Sequence, residues 1–111
     1  MSTETTQSRE YFRIGYPLAE RPQFILDDAV HQVMDCCEAG FRYYSAGFEM
    51  PDVGTLVEGR IRFRRGQKVN VRGRVVWRNQ GQVAVALTDA RIPLSIIYDE
   101  QRYLRKRYPL A

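Results

Sequence analysis

Cys36 and Cys37 stand side by side in the stretch VMDCCEAGFRYY, behind Asp35 and ahead of Gly40. Thiols can ligate metals, cross-link, carry redox chemistry or act as nucleophiles, and each use requires companions. A structural zinc site needs four ligands at separations that let them converge. The only histidine is His31, and His31, Cys36 and Cys37 are too few and badly spaced. A bond between adjacent cysteines closes a strained ring and does not staple a small secreted fold. Cys37 as a nucleophile needs a base brought beside it. The chain also has no nucleophile elbow, no Gly-rich phosphate loop and no HExxH. The pair therefore reads as two reduced thiols in or beside a turn, with no metal, no cofactor and no catalysis expected. A second set of residues points to binding. Near the start, REYFR places Arg9 and Arg13 four residues apart; far from it, DCCEAG sets Asp35, Cys37 and Gly40 at fixed offsets. Each spacing alone is a weak signal. Their order and separation, ahead of an alternating basic segment, say more.

The elements that must position these residues are mostly strands. Phe24 to Leu26 is an apolar run, Asp27-Asp28 a tight turn, and Ala29 to Asp35 a returning strand. Cys36 to Gly40 turns again before the aromatic strand Phe41 to Ser45. Residues 46–55 read as a loop. In LVEGRIRF, Val57, Ile61 and Phe63 share one face and Glu58, Arg60 and Arg62 the other. In KVNVRGRVVWR, Val69, Val71, Val75 and Trp77 alternate with Lys68, Asn70, Arg72, Arg74 and Arg78. Period two of this kind marks half-buried antiparallel strands. Turns at Arg64–Gln67 and Asn79–Gln82 and the strand VAVAL complete the set. The period then changes. After Pro93, Ile96, Ile97, Leu104 and Tyr108 lie near one helical stripe, with Asp99 and Glu100 early and Arg105, Lys106 and Arg107 late, as the helix dipole favours. The expectation is an all-β fold, a six-stranded antiparallel barrel with a C-terminal helix over about 94–107.

Composition sets the class. With 111 residues, 44% hydrophobic and 27% charged, the chain suits one globular domain rather than a disordered one. No apolar run approaches the ~20 residues needed to span a bilayer, so membrane insertion is not expected. The polar start MSTETTQSRE has no apolar signal region. Residues 1–8 read as a mobile arm before a single domain over 9–111, and the expected address is cytoplasmic. The net charge of +4 invites an anionic partner. Eight basic residues and no acid lie between Arg60 and Arg78. Alternation places much of that run on an outer face, so Arg72, Arg74 and Arg78 read as a solvated surface rather than a ligand shelf.

Taken together, the motifs resemble the PilZ domain family, bacterial receptor modules for the second messenger cyclic di-GMP. That family carries RxxxR before the first barrel strand and [DN]xSxxG between the second and third. Arg9 and Arg13 match the first motif. Asp35 and Gly40 match the second, with Cys37 where the family has serine and Cys36 in a variable slot. The resemblance runs from about Arg9 to the end. It implies a non-catalytic receptor that binds cyclic di-GMP through Arg9, Arg13, Asp35, Cys37 and Gly40, folds its N-terminal arm over the ligand, and signals to a downstream protein as a monomer or weak dimer.

The residue types suit such a ligand. A guanidinium fork grips guanine O6/N7 or a phosphate with paired charge-assisted bonds, and its flat face stacks on a purine. Asp35 can accept from guanine N1–H and N2–H. Gly40 permits a positive φ or a close approach of chain or ligand. Trp77 belongs by alternation with Val75 and the core; at a strand end near the barrel mouth its indole could instead stack on guanine. Two departures weaken binding: a thiol hydrogen-bonds poorly where the family has a hydroxyl, and Ser8 stands where the family often has a further arginine. The alternatives are a PilZ-fold adaptor that no longer binds the ligand and, less favoured, a small basic barrel for RNA or single-stranded DNA.

Overall fold

A computed structural model describes residues 13–45 and 49–109. Arg9 lies outside the described residues. The elements are β1 (Ile14–Gly15), a 3-10 turn (Leu18–Glu20), β2 (Gln23–Leu26), β3 (Ala29–Cys37), β4 (Gly40–Tyr44), β5 (Leu56–Arg62), β6 (Lys68–Asn79), β7 (Gln82–Leu87) and α1 (Leu94–Arg107). Strand order is β1-β3-β2-β5-β6-β7-β4, and β4 pairs back onto β3. That last pairing closes β2 to β7 into a six-stranded antiparallel barrel. The short β1 is an addition, running beside the far end of β3 where β2 has ended.

The period-two pattern explains the strands. Val57, Ile61 and Phe63 are buried while Glu58, Arg60 and Arg62 face water. Phe24, Phe41 and Tyr43 form an aromatic centre, with Phe24 ring centroids 4.8 Å from Phe41 and 4.9 Å from Tyr43. The turn between β6 and β7 is two residues, Gln80 and Gly81, both at positive φ (52° and 82°); that backbone twist matches the strands it joins.

Alternation is broken twice, each time by one extra residue. In β3 the register passes from Val33↔Tyr43 to Asp35↔Arg42, leaving Met34 unpaired on β4. In β6 it passes from Val75↔Val85 to Trp77↔Ala84, leaving out Val76. Such bulges re-aim the residues that follow. Strict alternation would put Asp35 with Val33 and Trp77 with Val75, inside. The bulges turn both outward, and this corrects the placement of Trp77 in the core: it is 42% exposed. The cysteines are also placed differently from the expectation. Both finish β3, and only Glu38 and Ala39 form the turn.

Helix α1 has the expected bounds, and Ile96 and Ile97 are buried. Its acids differ from the expected dipole pairing. The first turn holds none, and Glu100 is buried, accepting a 2.7 Å hydrogen bond from the Tyr16 hydroxyl. Arg65 reaches the same carboxylate at 3.5 Å and lies over the Tyr103 ring. Tyr108 ends the helix and donates to Glu20 at 2.9 Å instead of extending the buried stripe. Among the described residues no helix is long and apolar enough to cross a membrane.

Candidate ligand-binding site

The site is built on the outer face of the barrel where β3 meets β4. The two-residue turn at Glu38 and Ala39 fixes the register Cys37↔Gly40, Cys36↔Phe41 and Asp35↔Arg42. Continuing across the sheet, Arg42 pairs with Ala84 and Ala84 with Trp77, while Gly40 pairs with Ala86 and Ala86 with Arg74. Two parallel rows result: Asp35, Arg42, Ala84, Trp77 and Cys37, Gly40, Ala86, Arg74. The middle of each row has small side chains or none. A flat floor of Gly40, Ala84 and Ala86 thus lies between a polar wall on β3 and β4 and the bulged segment of β6. A cleft of about 400 Å³ sits there, lined by Arg13, Cys37, Gly40, Arg42, Val76 and the floor. Trp77 stands in the row but is not among the residues lining the cleft.

Asp35 is the centre of charge. Only 5% exposed, it would be costly to bury alone. Arg42 donates to Oδ2 at 2.7 Å and Arg13 to Oδ1 at 3.3 Å, so each oxygen has its own guanidinium. Arg42 also donates to Gln82 at 3.0 Å, which fixes its plane. Arg13 is 65% exposed, so its side of the pair meets solvent. Sequence reading missed Arg42. Its signal was available: a two-residue turn after Cys37 places it directly opposite Asp35.

The two thiols have separate environments. Cys37 faces the cleft. Cys36 faces the core, 3.7 Å from the Tyr16 hydroxyl, and burial pushes its thiol up to about 12, so it stays protonated. Both cysteines are unbridged. Gly40 serves by close approach rather than by positive φ: a Cβ there would sit 2.5 Å from the Val85 carbonyl oxygen. Arg72 is held by Glu58 and Asp89, Arg74 by the Gly54 carbonyl and Arg78 by Asp52 and the Met50 carbonyl. That stripe is a solvated, internally paired surface. His31 is far from the thiols, near the start of β3, its ring 4.9 Å from that of Tyr43. Among the described residues no three His, Cys, Asp or Glu side chains are grouped to hold a metal ion.

No family model and no curated protein matches this chain. Its fold is similar to the crystal structure of an uncharacterised Legionella protein, which covers 86% of this chain and 99% of its own at 14% identity with a TM-score of 0.59. At that identity the likeness speaks for the fold alone.

Proposed function

We propose that this chain is a non-catalytic, cytosolic receptor for cyclic di-GMP, a PilZ-type module that passes its signal to a protein partner. The observation that carries the reading is the shelf: a flat floor of Gly40, Ala84 and Ala86 beside an acid bracketed by two guanidiniums. A planar base fits a floor whose side chains are no larger than a methyl group. Arg42 and Arg13 offer forks to base or phosphate, and Asp35 offers acceptors to the N1–H and N2–H edge of guanine. Trp77, turned outward by the Val76 bulge, stands where an indole would extend the stacking surface past the cleft. Arg9, four residues ahead of Arg13, would join the grip. Cys37 replaces one hydroxyl by a thiol, a loss of roughly 1 kcal/mol, or about fivefold in affinity.

Titration calorimetry tests this. Cyclic di-GMP should bind saturably at micromolar or tighter concentration, GMP should not, and Arg13→Ala should abolish the heat. Cys37→Ser should tighten binding about fivefold. A second reading has one observation in its favour: both oxygens of Asp35 are already occupied by Arg13 and Arg42. That is the state expected of a ligand-free adaptor. Silence in calorimetry, repeated by a fluorescence assay and unrelieved by Cys37→Ser, would select it.

A further inference from the structure

Across the ring from the cleft, β2, β5 and the start of β6 present another outer face. Arg62 on β5 stands directly opposite Lys68 on β6, and Arg60 opposite Asn70. On the other flank Arg62 pairs with Gln23 and Arg60 with Ile25. Arg64 follows in the β5–β6 turn, and Arg60, Arg62, Arg64 and Lys68 are all exposed. None of these four side chains makes an ion pair or a hydrogen bond with a described residue. Further along β6 the cations are neutralised: Arg72 by Glu58 and Asp89, Arg78 by Asp52. Arg65 is held on α1 by Glu100 and Tyr103. Asp27 and Glu58 stand beside Arg60 and bound the patch at that end.

Held this way, the cations destabilise the fold. Like charges directly opposite on neighbouring strands repel, and Arg60 and Arg62 are only about 7 Å apart along β5. An anionic partner removes that repulsion, and a wall of one sign raises the local concentration of anions. The uncharged neighbours select the class of partner. They are the amides Gln23, Gln67 and Asn70, with the half-buried Ile25. A protein partner needs an apolar or aromatic centre to the interface. A bilayer needs apolar side chains to insert, and a single strand needs aromatic rings on which its bases stack. This face has none of these. Arg, Lys, Asn and Gln are instead the side chains that contact the phosphates and sugars of a duplex.

We infer that this face binds the backbone of double-stranded nucleic acid without reading its sequence, Arg60, Arg62, Arg64 and Lys68 meeting phosphates and the amides meeting phosphate or sugar oxygens beside them. The inference does not depend on what the cleft across the ring binds.

The test is fluorescence anisotropy of labelled duplex DNA and duplex RNA titrated with the full chain at several salt concentrations. Saturable, micromolar binding of either duplex at low salt is expected, and the tighter of the two names the nucleic acid. Four neutralised phosphates predict a slope of log affinity on log salt of about −3.6 for DNA. The double variant Arg62→Gln, Lys68→Gln should halve that slope to about −1.8 and weaken low-salt binding about tenfold or more. Its urea midpoint at low salt should be no lower than that of the parent, because the facing charges are gone. The double variant Arg72→Gln, Arg78→Gln removes the same charge from the paired stripe and should leave affinity within about twofold. An equal loss in that control would overturn the assignment in favour of net charge alone. A single strand bound as tightly as the duplex would overturn it too, as would phosphatidylglycerol vesicles or polyglutamate bound as tightly. So would the absence of saturable binding to either duplex.

Discussion

One strand, β3, has opposite electrostatics at its two ends. At its C-terminal end a single carboxylate is buried, and both of its oxygens are held by guanidinium groups. At its N-terminal end carboxylates stand in water with no ion pair, around a buried tyrosine hydroxyl with no partner. The difference follows from burial. A carboxylate removed from water must be paired, or it destabilises the fold. Asp27, Asp28 and Glu49 keep their hydration and need no cation. The Met34 bulge between the two regions decides which rule applies, because it turns Asp35 out of the barrel and under the arginines. Pairing here depends on the face a side chain is given rather than on the overall excess of cations.

The comparison can be broken or sharpened by substitution. The largest effect is expected from Gly40→Ala. The added methyl presses on the backbone of β7, and overpacking of this kind costs about 2–3 kcal/mol. Urea denaturation should show that loss, while the NMR signals of His31 and Tyr43 stay in place. Next, Asp35→Asn should cost about 2 kcal/mol, since two charge-assisted hydrogen bonds weaken at a buried position; no one of Asp27, Asp28 and Glu49 should cost more than ~0.5 kcal/mol when changed to its amide. A matched pair of tyrosines gives the sharpest contrast. Tyr16→Phe removes the donor to buried Glu100 and should lose about 1–2 kcal/mol. The same change at Tyr43 removes an unpartnered hydroxyl and should be neutral or slightly stabilising in the same denaturation assay.

The smallest effect is a pH dependence. Burial lowers the proton affinity of His31, so the folded chain holds it neutral below its ordinary value of 6.5. The unfolded chain takes up the proton first. Stability should therefore be level above about pH 6.5 and fall as the pH drops below it. In His31→Phe that slope should flatten, which denaturation midpoints at neutral and mildly acidic pH would show.

The sequence made the regular parts legible. Val57, Ile61 and Phe63 were placed inside by alternation alone, and the change of period after Pro93 located α1. What it could not reveal was any place where one residue breaks the period. Val76 looks like another valine in a valine-rich strand, yet it is the extra residue that carries Trp77 from the core side to the outside. Met34 does the same for Asp35. Arg42 was hidden for a related reason. A turn assigned to Cys36–Gly40 leaves the register loose, whereas the actual turn at Glu38 and Ala39 sets Arg42 opposite Asp35. Glu100 was read as an acid serving the helix dipole because its partner, Tyr16, is 84 residues away. Such a pairing is visible only after the chain has closed.

That closure has a consequence for the time behaviour of the molecule. Each strand of the ring is hydrogen-bonded on both flanks, so none can leave without breaking two seams. Among the described residues the two residues of β1 have a partner strand on one flank only, against Asp35 and Cys36. The amide protons of the ring and those of β1 should thus belong to different cooperative units, with β1 expected to exchange with solvent by local opening, below the free energy of global unfolding. Because Gly15 is the register partner of Asp35, that fluctuation uncovers the backbone beside one end of β3 and leaves the other end shut. Native-state hydrogen exchange would see one strand with a fast half and a slow half.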